Sequence, residues 1–379
     1  MNDIKIGILG GGQLGKMLCM AGSGMSLNIS VMDKSNSFPA GLVCKNFIEG
    51  DITSEKDVLD FGRSVDVLTI EFEKINVDAL YQLESEGKKV FPSASIIGMI
   101  QDKGTQKQFY SNHNIPTSDY YLCESKEDVL SRMEDGEFSF PFVQKTRRDG
   151  YDGQGVLVCK DESYKSKLFD APCVIEKMVD IEKELAVIVC RNEKGDIAIF
   201  DTVEMVFDPQ ANLLDYQLAP ARIDKSMVYE INDLAMSIAQ KLDLVGLLAI
   251  ELFLDTSGKI LVNEMAPRPH NSGHHSIEAC FTSQYENHLR AILNLPLGKT
   301  DILSPSILIN LLGCENYSGK ATISGSEDIL KVQGSHLHLY GKNDTKPYRK
   351  MGHVTLLHEK EHVPYDSIDE IKRHFKTAP

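Results

Sequence analysis

Four short apolar segments in the first hundred residues are separated by polar or amphipathic stretches of helical length. An apolar strand followed by a helix-length segment, repeated along the chain, is typical of β–α–β units whose strands pair in parallel. The sequence therefore predicts an αβ domain with a parallel sheet over residues 1–100. The predicted strands are Ile4–Leu9, Asn28–Met32, Val67–Phe72 and Lys89–Phe91.

The pattern changes twice after this domain. A helical stretch from about residue 95 to 116 leads away from the sheet, and from Tyr120 onward Gly, Asp and Asn separate short apolar strands, which predicts antiparallel hairpins. A Leu-Pro-Leu-Gly segment after Asn294, followed by Ser-Pro, indicates a linker. We therefore predict three domains at 1–100, 101–300 and 301–379, the last one small and ending in a helix over Ser367–Phe375.

The chain is acidic, which limits its partners. Its 379 residues have a formal net charge of −15, so no general basic field is available to hold a nucleic acid or an anionic membrane surface. A small anionic substrate would need a local cluster of Arg and Lys side chains. The eight cysteines include no CxxC pair and lie mostly in apolar runs, as expected of reduced thiols in the cytoplasm.

The sequence has no pattern typical of a secretory signal or a membrane span. It starts with a predicted strand rather than with a basic region followed by an apolar one. The most apolar stretch, Val245–Leu254, is interrupted by Glu251 and is too short to cross a bilayer. We therefore expect a cytoplasmic protein with no membrane partner.

A glycine-rich segment, Gly10-Gly11-Gly12-Gln13-Leu14-Gly15, follows the first predicted strand and precedes a helix. Its GxGxxG spacing is typical of nucleotide or phosphate binding, because free amides at a helix N-terminus attract anions. Asp33 follows the next strand, at about the distance expected of a ribose-binding acid, so an NAD-dependent dehydrogenase is one interpretation. A tight strand-to-helix turn without a ligand is another.

A second glycine-rich segment, 145–155, lies between the apolar segments Phe138–Gln144 and Val156–Cys159. Its three glycines between positions 150 and 155 allow backbone amides to approach a polyphosphate, and Lys145 supplies a positive charge. A mobile surface hairpin is the alternative, but hairpin tips usually need only two to five residues. The segment therefore favours a loop that covers the phosphates of ATP.

Two carboxylates lie in a pair of apolar segments, 247–254 and 260–265, that predict a β-hairpin. With Ser257-Gly258 as a two-residue turn, Glu251 lies directly opposite Glu264 on one face. Neighbours across strands are about 5 Å apart, where like charges repel by roughly 3 kcal/mol at an effective dielectric near 20. The sequence shows no cation close by, so we predict Mg²⁺ between the carboxylates, bridged to phosphate oxygens. A shared proton, or one side chain turned to solvent, is the alternative.

A polar segment rich in histidine follows Glu264. His270 and His274 are four residues apart, as zinc ligands on a helix are, but a proline and a glycine disfavour a helix here and no cysteine or nearby acid completes the site. Other side chains of the segment, with the amides that open the next helix, favour a small oxyanion such as bicarbonate, phosphate or carboxylate. These side chains are Arg268, Asn271 and Ser272.

Together these segments resemble the ATP-grasp superfamily. Within it, the chain is similar over nearly its whole length to the N5-carboxyaminoimidazole ribonucleotide synthetases of de novo purine synthesis. The resemblance implies a pre-ATP-grasp αβ domain, a two-part ATP-grasp domain with antiparallel sheets and a lid at about 115–178, a small β-rich C-terminal domain, and a homodimer. The matching segments are Gly10–Met17, Thr69–Glu73, Asp102–Gln108, Gly150–Gly155, Asn263–His274 and Tyr348–His353.

The reaction that the resemblance implies is an ATP-dependent carboxylation. Bicarbonate attacks the γ-phosphorus of ATP, and the products are carboxyphosphate and ADP. The amine of 5-aminoimidazole ribonucleotide then captures the carboxyl carbon, either directly or as released CO2, which yields N5-carboxyaminoimidazole ribonucleotide and phosphate. Mg²⁺ is the expected metal, with Mn²⁺ as a substitute. Because carboxyphosphate hydrolyses readily, a lid that excludes water is expected.

The resemblance also implies roles for individual residues. The ATP contacts are Lys103 and Lys145 at the phosphates, Gly150, Tyr151, Asp152, Gly153, Gln154, Gly155 and Val156 in the closing loop, Glu176, Lys177, Met178 and Val179 around adenine, Glu184 at the ribose, and Asn263 and Glu264. Glu251 and Glu264 match the metal ligands. The catalytic residues are Arg268, His270, Asn271, Lys350, Tyr151 and Asp152. The ribonucleotide pocket comprises Gln13, Leu14, Glu73, Arg268, Lys342, Arg349 and Lys350.

One strand departs from the family pattern. Where the family usually has Glu-Asn-x-His, this chain has Glu204-Met205-Val206-Phe207, so only the Glu is kept. Three alternatives stay open. Another ATP-grasp carboxylase or formyltransferase would keep the metal pair and the lid. A dehydrogenase would use the first hundred residues alone, and a noncatalytic nucleotide sensor would bind ATP without releasing ADP.

Overall fold

The computed structural model describes residues 3–148, 150, 155–208, 213–359 and 363–378. Its N-terminal part is a five-stranded sheet, called the first sheet below, with the strand order β3-β2-β1-β4-β5 and parallel pairing throughout. In chain order the elements are β1 (Lys5–Leu9), α1 (Gln13–Gly24), β2 (Asn28–Asp33), a 3-10 turn (Pro39–Leu42), β3 (Asn46–Glu49), α2 (Glu55–Arg63), β4 (Val67–Ile70), α3 (Val77–Ser85), β5 (Lys89–Val90), α4 (Ala94–Ile100) and α5 (Lys103–Asn112).

The predicted parallel sheet is confirmed. Ile8 and Leu9 lie on opposite faces of the central strand β1, and both are fully buried, as expected where helices cover both faces of a parallel sheet. Strand β3 was not predicted, because it is an edge strand whose residues are mostly exposed and show no apolar alternation.

The helical stretch predicted at about 95–116 forms two helices, α4 and α5. They are separated at Asp102, whose side chain accepts the backbone N–H groups of Gly104 and Thr105 and so caps the N-terminus of α5. This break matters for the site, because it makes Lys103 the first residue of α5.

A four-stranded antiparallel sheet follows, called the lid sheet below, with the order β6-β9-β7-β8. The first strand of the predicted glycine-rich hairpin starts at Phe142 rather than at Phe138. It starts directly after Pro141, which has no N–H to donate to a strand ladder. The elements are β6 (Tyr120–Cys123), α6 (Lys126–Glu134), β7 (Phe142–Thr146), β8 (Val156–Cys159), a 3-10 turn (Glu162–Lys167) and β9 (Cys173–Lys177).

The rest of the chain is built on a nine-stranded sheet, called the central sheet below. Its order is β15-β14-β10-β12-β13-β16-β20-β18, with β11 beside β10. The elements are β10 (Ile181–Arg191), β11 (Ile197–Ile199), β12 (Val203–Asp208), β13 (Leu213–Ala219), α7 (Lys225–Lys241), β14 (Gly246–Asp255), β15 (Ile260–Ala266), a 3-10 turn (Asn271–Gly273), α8 (Ser276–Ala279), α9 (Gln284–Ile292), β16 (Ser306–Leu312), β17 (Gly319–Lys320), α10 (Ser326–Lys331), β18 (Ser335–Leu339), β19 (Asp344–Thr345), β20 (Lys350–Leu357) and α11 (Tyr365–His374).

The central sheet runs through the boundary predicted near residue 300. Strand β13 pairs antiparallel with β16, so the C-terminal strands extend the sheet of the preceding part. Apolar residues of β13, β16, β20 and α11 form one buried cluster beneath it. The final helix starts two residues earlier than predicted, at Tyr365. Among the residues that the structure describes, no helix has the length and apolar character needed to span a membrane.

Candidate functional site

A cavity of about 760 Å³ opens where the first sheet, the central sheet and the end of β7 meet. Many of the predicted site residues line it, although they come from distant parts of the sequence. These lining residues are Gln13, Leu14, Glu73, Lys103, Gly150, Glu251, Glu264, Arg268, His270, Asn271, Lys342, Arg349 and Lys350.

The hairpin of β14 and β15 differs from the prediction at its turn. The loop has three residues, 256–258, rather than two, and is closed by a 3.0 Å hydrogen bond from Asp255 N–H to the Lys259 carbonyl oxygen. Gly258 ends the loop with a φ of 84°, the left-handed conformation that three-residue hairpin loops require. The two-residue turn at Ser257-Gly258 was therefore wrong.

Glu251 and Glu264 are nevertheless paired across the two strands. The register shifts between Glu251 and Leu252, because Asn263 is an extra residue on β15. Such a bulge moves every following side chain of its strand to the other face. The extra residue in the bulge offsets the extra residue in the loop, so the two carboxylates still lie opposite each other. The sequence pattern did not predict this bulge.

The two carboxylates have different neighbours. Lys103 Nζ lies 2.5 Å from Glu264 Oε2, whereas His270 Nε2 lies 3.5 Å from Glu251 Oε1. The Lys103 ammonium lowers the pKa of Glu264, while burial and the charge of Glu264 raise the pKa of Glu251. Lys103 is the nearby cation that the hairpin sequence did not show. Two adjacent carboxylates suit a hard divalent cation, so the donor set fits Mg²⁺.

Three side chains of the loop after β15 line the cavity beside this pair. Arg268 Nε is 2.8 Å from Glu73 Oε1, and His270 Nδ1 is 2.9 Å from Ser272 Oγ. Both polar side-chain atoms of Asn271 are buried and have no hydrogen-bond partner among the described residues. A buried amide without a partner is costly, so Asn271 is prepared to bind a polar ligand.

His274 has a different role from His270. It is buried, and its Nδ1 lies 2.7 Å from the Tyr285 hydroxyl. Its ring also lies against that of His353, with 4.7 Å between the ring centroids. Burial lowers the pKa of His274 well below its ordinary value. His274 therefore packs in the wall of the cavity, and its contacts do not pair it with His270 around one ion.

Lys145, predicted at the ATP phosphates, lies next to this region at the end of β7. Its Nζ is 3.1 Å from Glu176 Oε1 and donates a 2.8 Å hydrogen bond to Asn263 Oδ1. Lys107 also reaches Glu176 Oε1, at 3.3 Å. Glu176 is buried, and these two lysines lower its pKa against the effect of burial.

The segment predicted around adenine changes its exposure after Glu176. Lys177 and Met178 are exposed and Val179 is half-buried, so this segment lies at the surface. Glu184, predicted at the ribose, is on β10 and is paired with Phe253 of β14. It lies on the same face of the central sheet as Glu251, which is paired with Ala186 two residues further on. Burial raises the pKa of Glu184 to about 7.

The first glycine-rich segment is occupied by the chain's own carboxylates. Glu71 accepts hydrogen bonds from the N–H groups of Gly12 and Gly15, at 2.8 and 3.2 Å, and Asp33 accepts one from Gly11 at 2.7 Å. Burial raises the pKa of Glu71 to about 7. Since these amides and Asp33 already have partners, the geometry does not favour the dehydrogenase interpretation. The segment is a strand-to-helix turn whose next residues, Gln13 and Leu14, line the cavity.

Part of the second glycine-rich segment lies outside the described residues. This concerns the predicted site residues Tyr151, Asp152, Gly153 and Gln154. Gly150 lines the cavity, and the Gly155 carbonyl oxygen accepts a 2.8 Å hydrogen bond from Thr146 N–H. Gly155 has a φ of 75°, and Val156 starts β8.

The predicted basic patch lies in the cavity wall, at the start of β20 and in the segment before it. Lys342 Nζ donates a 2.7 Å hydrogen bond to the Lys350 carbonyl oxygen, and Arg349 donates one of 2.9 Å to the Asp344 carbonyl oxygen. All three basic side chains line the cavity, so an acidic chain presents a local positive surface there. Such a surface suits a phosphorylated substrate.

Strand β12, which departs from the family pattern, has ion-paired and cavity-lining side chains on opposite faces. Glu204 is buried and bound by Lys183 and Arg222, at 3.1 and 2.5 Å, so it has a structural ion-pair role. Met205 and Phe207 line the cavity instead. The site therefore has an apolar wall at the positions where the family usually has Asn and His.

Sequence reasoning missed several residues of the site. Lys107, which was not predicted, forms a buried ion pair with the predicted residue Glu176, and Arg147 donates two hydrogen bonds of 2.8 and 2.9 Å to Asp102. Asp102 and Lys107 lie within the matching segment 102–108, but a single helical segment gives no signal of which lid residue each side chain contacts. Glu71 follows an apolar strand, and that local pattern does not show that its side chain binds the glycine-rich turn.

Comparison with known proteins agrees with this geometry. Three family models match successive parts of the chain: the ribonucleotide synthetase preATP-grasp domain at residues 3–101, the ATP-grasp domain at 108–285, and the phosphoribosylaminoimidazole carboxylase C-terminal domain at 306–363. The N5-carboxyaminoimidazole ribonucleotide synthase of Bacillus subtilis is 37% identical over 361 residues, which is 94% of this chain and 92% of that protein.

The chain belongs to the N5-carboxyaminoimidazole ribonucleotide synthase family. It is thus an ATP-grasp ligase of purine biosynthesis. The synthetase of Thermotoga maritima has a solved structure with a TM-score of 0.91 and 42% identity, and the match covers 99% of both chains. A synthase of Aspergillus clavatus, solved in complex with ADP and 5-aminoimidazole ribonucleotide, has a TM-score of 0.87 and 29% identity over 98% of both chains.

Proposed function

We propose that this synthase joins bicarbonate to the amine of 5-aminoimidazole ribonucleotide at the cavity, in a site that holds Mg²⁺ and ATP at Glu251 and Glu264. The observation that carries the proposal is the pairing of these two carboxylates in the wall of a cavity that also contains Arg268, Asn271 and Lys350. The paired carboxylates and the proposed anion-binding side chains thus line the same cavity.

The metal would be held by Glu251 and Glu264, whose carboxylates fit the oxygen-only preference of Mg²⁺. When bound, the ion would neutralise charge on the phosphate oxygens. Lys103 and Lys145 would bind the phosphates from the sides, since both ammonium groups lie beside the carboxylate hairpin. Glu176–Val179 would bind adenine and Glu184 the ribose.

In the first step, an oxygen of bicarbonate attacks the γ-phosphorus of ATP and the bond to ADP breaks, which leaves carboxyphosphate. Arg268, His270 and Asn271 would bind the bicarbonate and the transferred phosphoryl group. The unpartnered amide of Asn271 supports this assignment, because it offers both a donor and an acceptor inside the cavity. Donors fixed in place before the reaction stabilise charge as it develops.

In the second step, the amine nitrogen of the ribonucleotide bonds to the carboxyl carbon, phosphate leaves, and the nitrogen loses a proton. Gln13, Leu14, Glu73, Lys342, Arg349 and Lys350 would form the ribonucleotide site. This assignment is supported by the positive charges of Lys342, Arg349 and Lys350, which line the cavity. Tyr151 and Asp152 would complete the site from the closing loop, whose role is to exclude water from carboxyphosphate.

The experiment that tests this function measures ADP release. We expect release to require Mg²⁺, bicarbonate and 5-aminoimidazole ribonucleotide together, so omission of any one lowers the rate to background. The product should be N5-carboxyaminoimidazole ribonucleotide by mass spectrometry. ADP release that proceeds fully without bicarbonate, or a formylated product, would favour another ATP-grasp reaction and reject this one.

We also propose, from the family resemblance, that the enzyme is a cytoplasmic homodimer. Light scattering of the purified enzyme at working concentration tests the assembly. A mass equal to one chain of 42.2 kDa would contradict it.

A further inference from the structure

A cluster of three lysines and two glutamates lies beside the carboxylate hairpin, and it is unevenly paired. Glu264 has the single lysine partner Lys103, at 2.5 Å, whereas Glu176 has two, Lys145 at 3.1 Å and Lys107 at 3.3 Å. Two lysines on one buried glutamate leave one more positive charge than Glu176 needs.

Lys107 is fixed in this cluster. Its side chain is 3% exposed, and its Nζ donates hydrogen bonds of 2.6 Å to Thr117 Oγ1 and 3.2 Å to Ser118 Oγ in addition to its pairing with Glu176. The ring of Tyr110 lies 5.8 Å from the ammonium. An ammonium has three hydrogens to donate, so these contacts use its full capacity. Lys107 does not line the cavity among the described residues.

Lys145 is placed differently. It lies one residue before the end of β7, the strand that leads to Gly150 in the cavity wall. Its partners are Glu176 and Asn263, which is the bulge residue next to Glu264. Lys145 therefore lies between Glu176 and the carboxylate hairpin, where the phosphates of ATP are proposed to bind.

A single counter-ion on Glu176 would hold Lys145 in place. Removal of the partner of a buried charge is strongly unfavourable, because the remaining charge is left without compensation. Glu176 is 4% exposed and has little access to water. If Lys145 were its only cation, turning Lys145 to a phosphate would leave a buried carboxylate unpaired. The second lysine removes this obstacle.

We infer that Lys107 is a positioning residue: it stays on Glu176 as a fixed counter-ion and so leaves Lys145 free to bind the phosphates of the nucleotide. The inference rests on the proposed role of Lys145 at ATP. Lys107 itself touches no nucleotide atom in this arrangement. Its effect passes through Glu176, so it depends on the charge of that side chain.

Four variants test this dependence: K107M, E176Q, K107M/E176Q and the control K89M. The control removes a lysine from an exposed ion pair with Glu193, at 2.7 Å, which does not line the cavity. The measurements are the Kd of ADP with Mg²⁺ by calorimetry, and KM for ATP and kcat at saturating bicarbonate and ribonucleotide. Thermal unfolding of each variant checks that it is folded.

We expect K107M to weaken ADP binding by about tenfold or more and to raise KM for ATP by a similar factor, because Lys145 is then held by Glu176. The kcat at saturating ATP should fall much less. Adding E176Q should remove the effect, so K107M/E176Q should bind ADP as E176Q alone does. K89M should behave as the unmodified enzyme.

The comparison of E176Q with K107M/E176Q can overturn the inference even if K107M does not fold, because the double variant removes one positive and one negative charge together. Equal Kd values for these two variants support the inference. A loss of about tenfold or more in the double variant would overturn it, since Lys107 would then act independently of Glu176. K107M that binds ADP normally would overturn it as well. Failure of the unmodified enzyme to bind ADP would instead reject the proposed nucleotide site.

Discussion

His288 joins helix α9 to the first sheet at a fully buried position. Its Nε2 lies 2.8 Å from Thr69 Oγ1 on β4, and its Nδ1 has no hydrogen-bond partner among the described residues. Burial lowers the pKa of His288 to about 3. A free histidine has a pKa near 6.5, so between these two values the unfolded chain binds one proton more than the folded chain at this residue.

Because the unfolded chain binds the extra proton, His288 destabilises the folded protein in acid. The free energy of unfolding should fall as the pH drops below about 6.5, by up to about 1.4 kcal/mol per pH unit for this residue. We expect H288Q to reduce the pH slope of stability by about one proton, measured by urea unfolding between about pH 7 and pH 5. H336Q, at an exposed histidine, is the control. An unchanged slope in H288Q would contradict the assignment.

Arg268 is a cavity residue whose substitution should affect catalysis much more than folding. Its Nε lies 2.8 Å from Glu73 Oε1 in the cavity wall, and Arg268 is in none of the buried apolar clusters. We expect R268A to lower kcat by about 10²- to 10³-fold, the usual effect of losing one fixed donor to a developing charge, with little change in melting temperature. Steady-state kinetics and thermal unfolding measure the two effects.

The matched control for R268A is R290A. Arg290 forms an ion pair with Glu286 on α9 and does not line the cavity, so R290A removes a comparable pair outside the site. It should keep kcat within about twofold, since exposed pairs contribute at most about 1 kcal/mol to stability. An R268A enzyme with normal turnover and a lowered melting temperature would refute the catalytic role.

At the scale of single residues, the sequence predicted which side chains line the cavity better than it predicted their partners. Glu251, Arg268 and Asn271 were named from their strand and the loop that follows, because chain neighbours share a local pattern. The pairing of Lys103 with Glu264 joins residues 161 positions apart, and no local pattern encodes it. The same holds for Glu71 on the glycine-rich turn, at a separation of 59 positions from Gly12.

At the scale of elements, the hairpin of β14 and β15 shows how a correct pairing can follow from a wrong turn. A two-residue loop and a straight ladder pair Glu251 with Glu264, and so do a three-residue loop and one bulge. Sequence alone does not separate these possibilities, because a bulge has no fixed composition. Apart from the exposed edge strand β3, the parallel strands of the first sheet were easier to predict, since they are apolar runs with buried side chains.

The bulge gives an element-scale prediction. Deleting Asn263 should straighten the strand and leave Glu251 opposite Glu264, because Glu264 then directly follows Val262, which is paired with Leu252. We expect the deletion to weaken ADP binding only as far as N263A does, since both changes remove the 2.8 Å hydrogen bond that Lys145 donates to the Asn263 side chain. Calorimetry of ADP binding with Mg²⁺ compares the two variants, and a much larger loss in the deletion than in N263A would contradict this register.

A deletion in the turn is the matched control for the bulge deletion. Ser257 lies at the exposed tip of the three-residue loop and has its hydroxyl bonded to Asp255. Its removal shortens the same hairpin by one residue without touching the bulge, so the carboxylates should stay opposite each other. If the Ser257 deletion abolished ADP binding, the pairing of the carboxylates would depend on the turn, and the register argument would be wrong.

At the scale of the whole molecule, the central sheet connects parts of the chain that the sequence divides. Composition and the linker after Asn294 indicate a separate C-terminal module, and residues 306–363 match a family model of their own. Composition could not predict the pairing of β13 with β16, because these strands are about ninety residues apart and meet only in the folded chain. The same sheet presents Glu251 and Lys350 to one cavity.

This continuity predicts that the C-terminal part cannot be removed. A chain ending at Asp301 leaves β13 without β16 as its neighbour and exposes Leu218, because its cluster partners Ile307 and Ile371 are removed. An unpaired apolar edge strand is prone to aggregate. We expect the shortened chain to lose its cooperative unfolding transition and ADP binding, as measured by circular dichroism, size-exclusion chromatography and calorimetry.

The loss could come from the broken backbone or from the missing strands. Cutting the chain without removing the strands separates these two causes. Lys299 is an exposed linker residue, so a protease site inserted beside it can be cleaved after folding while β16 and β20 stay paired. The cleaved enzyme should elute as one complex and keep ADP binding, because the backbone break leaves the strand pairs intact. If the chain ending at Asp301 unfolded cooperatively and bound ADP like the cleaved enzyme, the central sheet would not be the unit of stability proposed here.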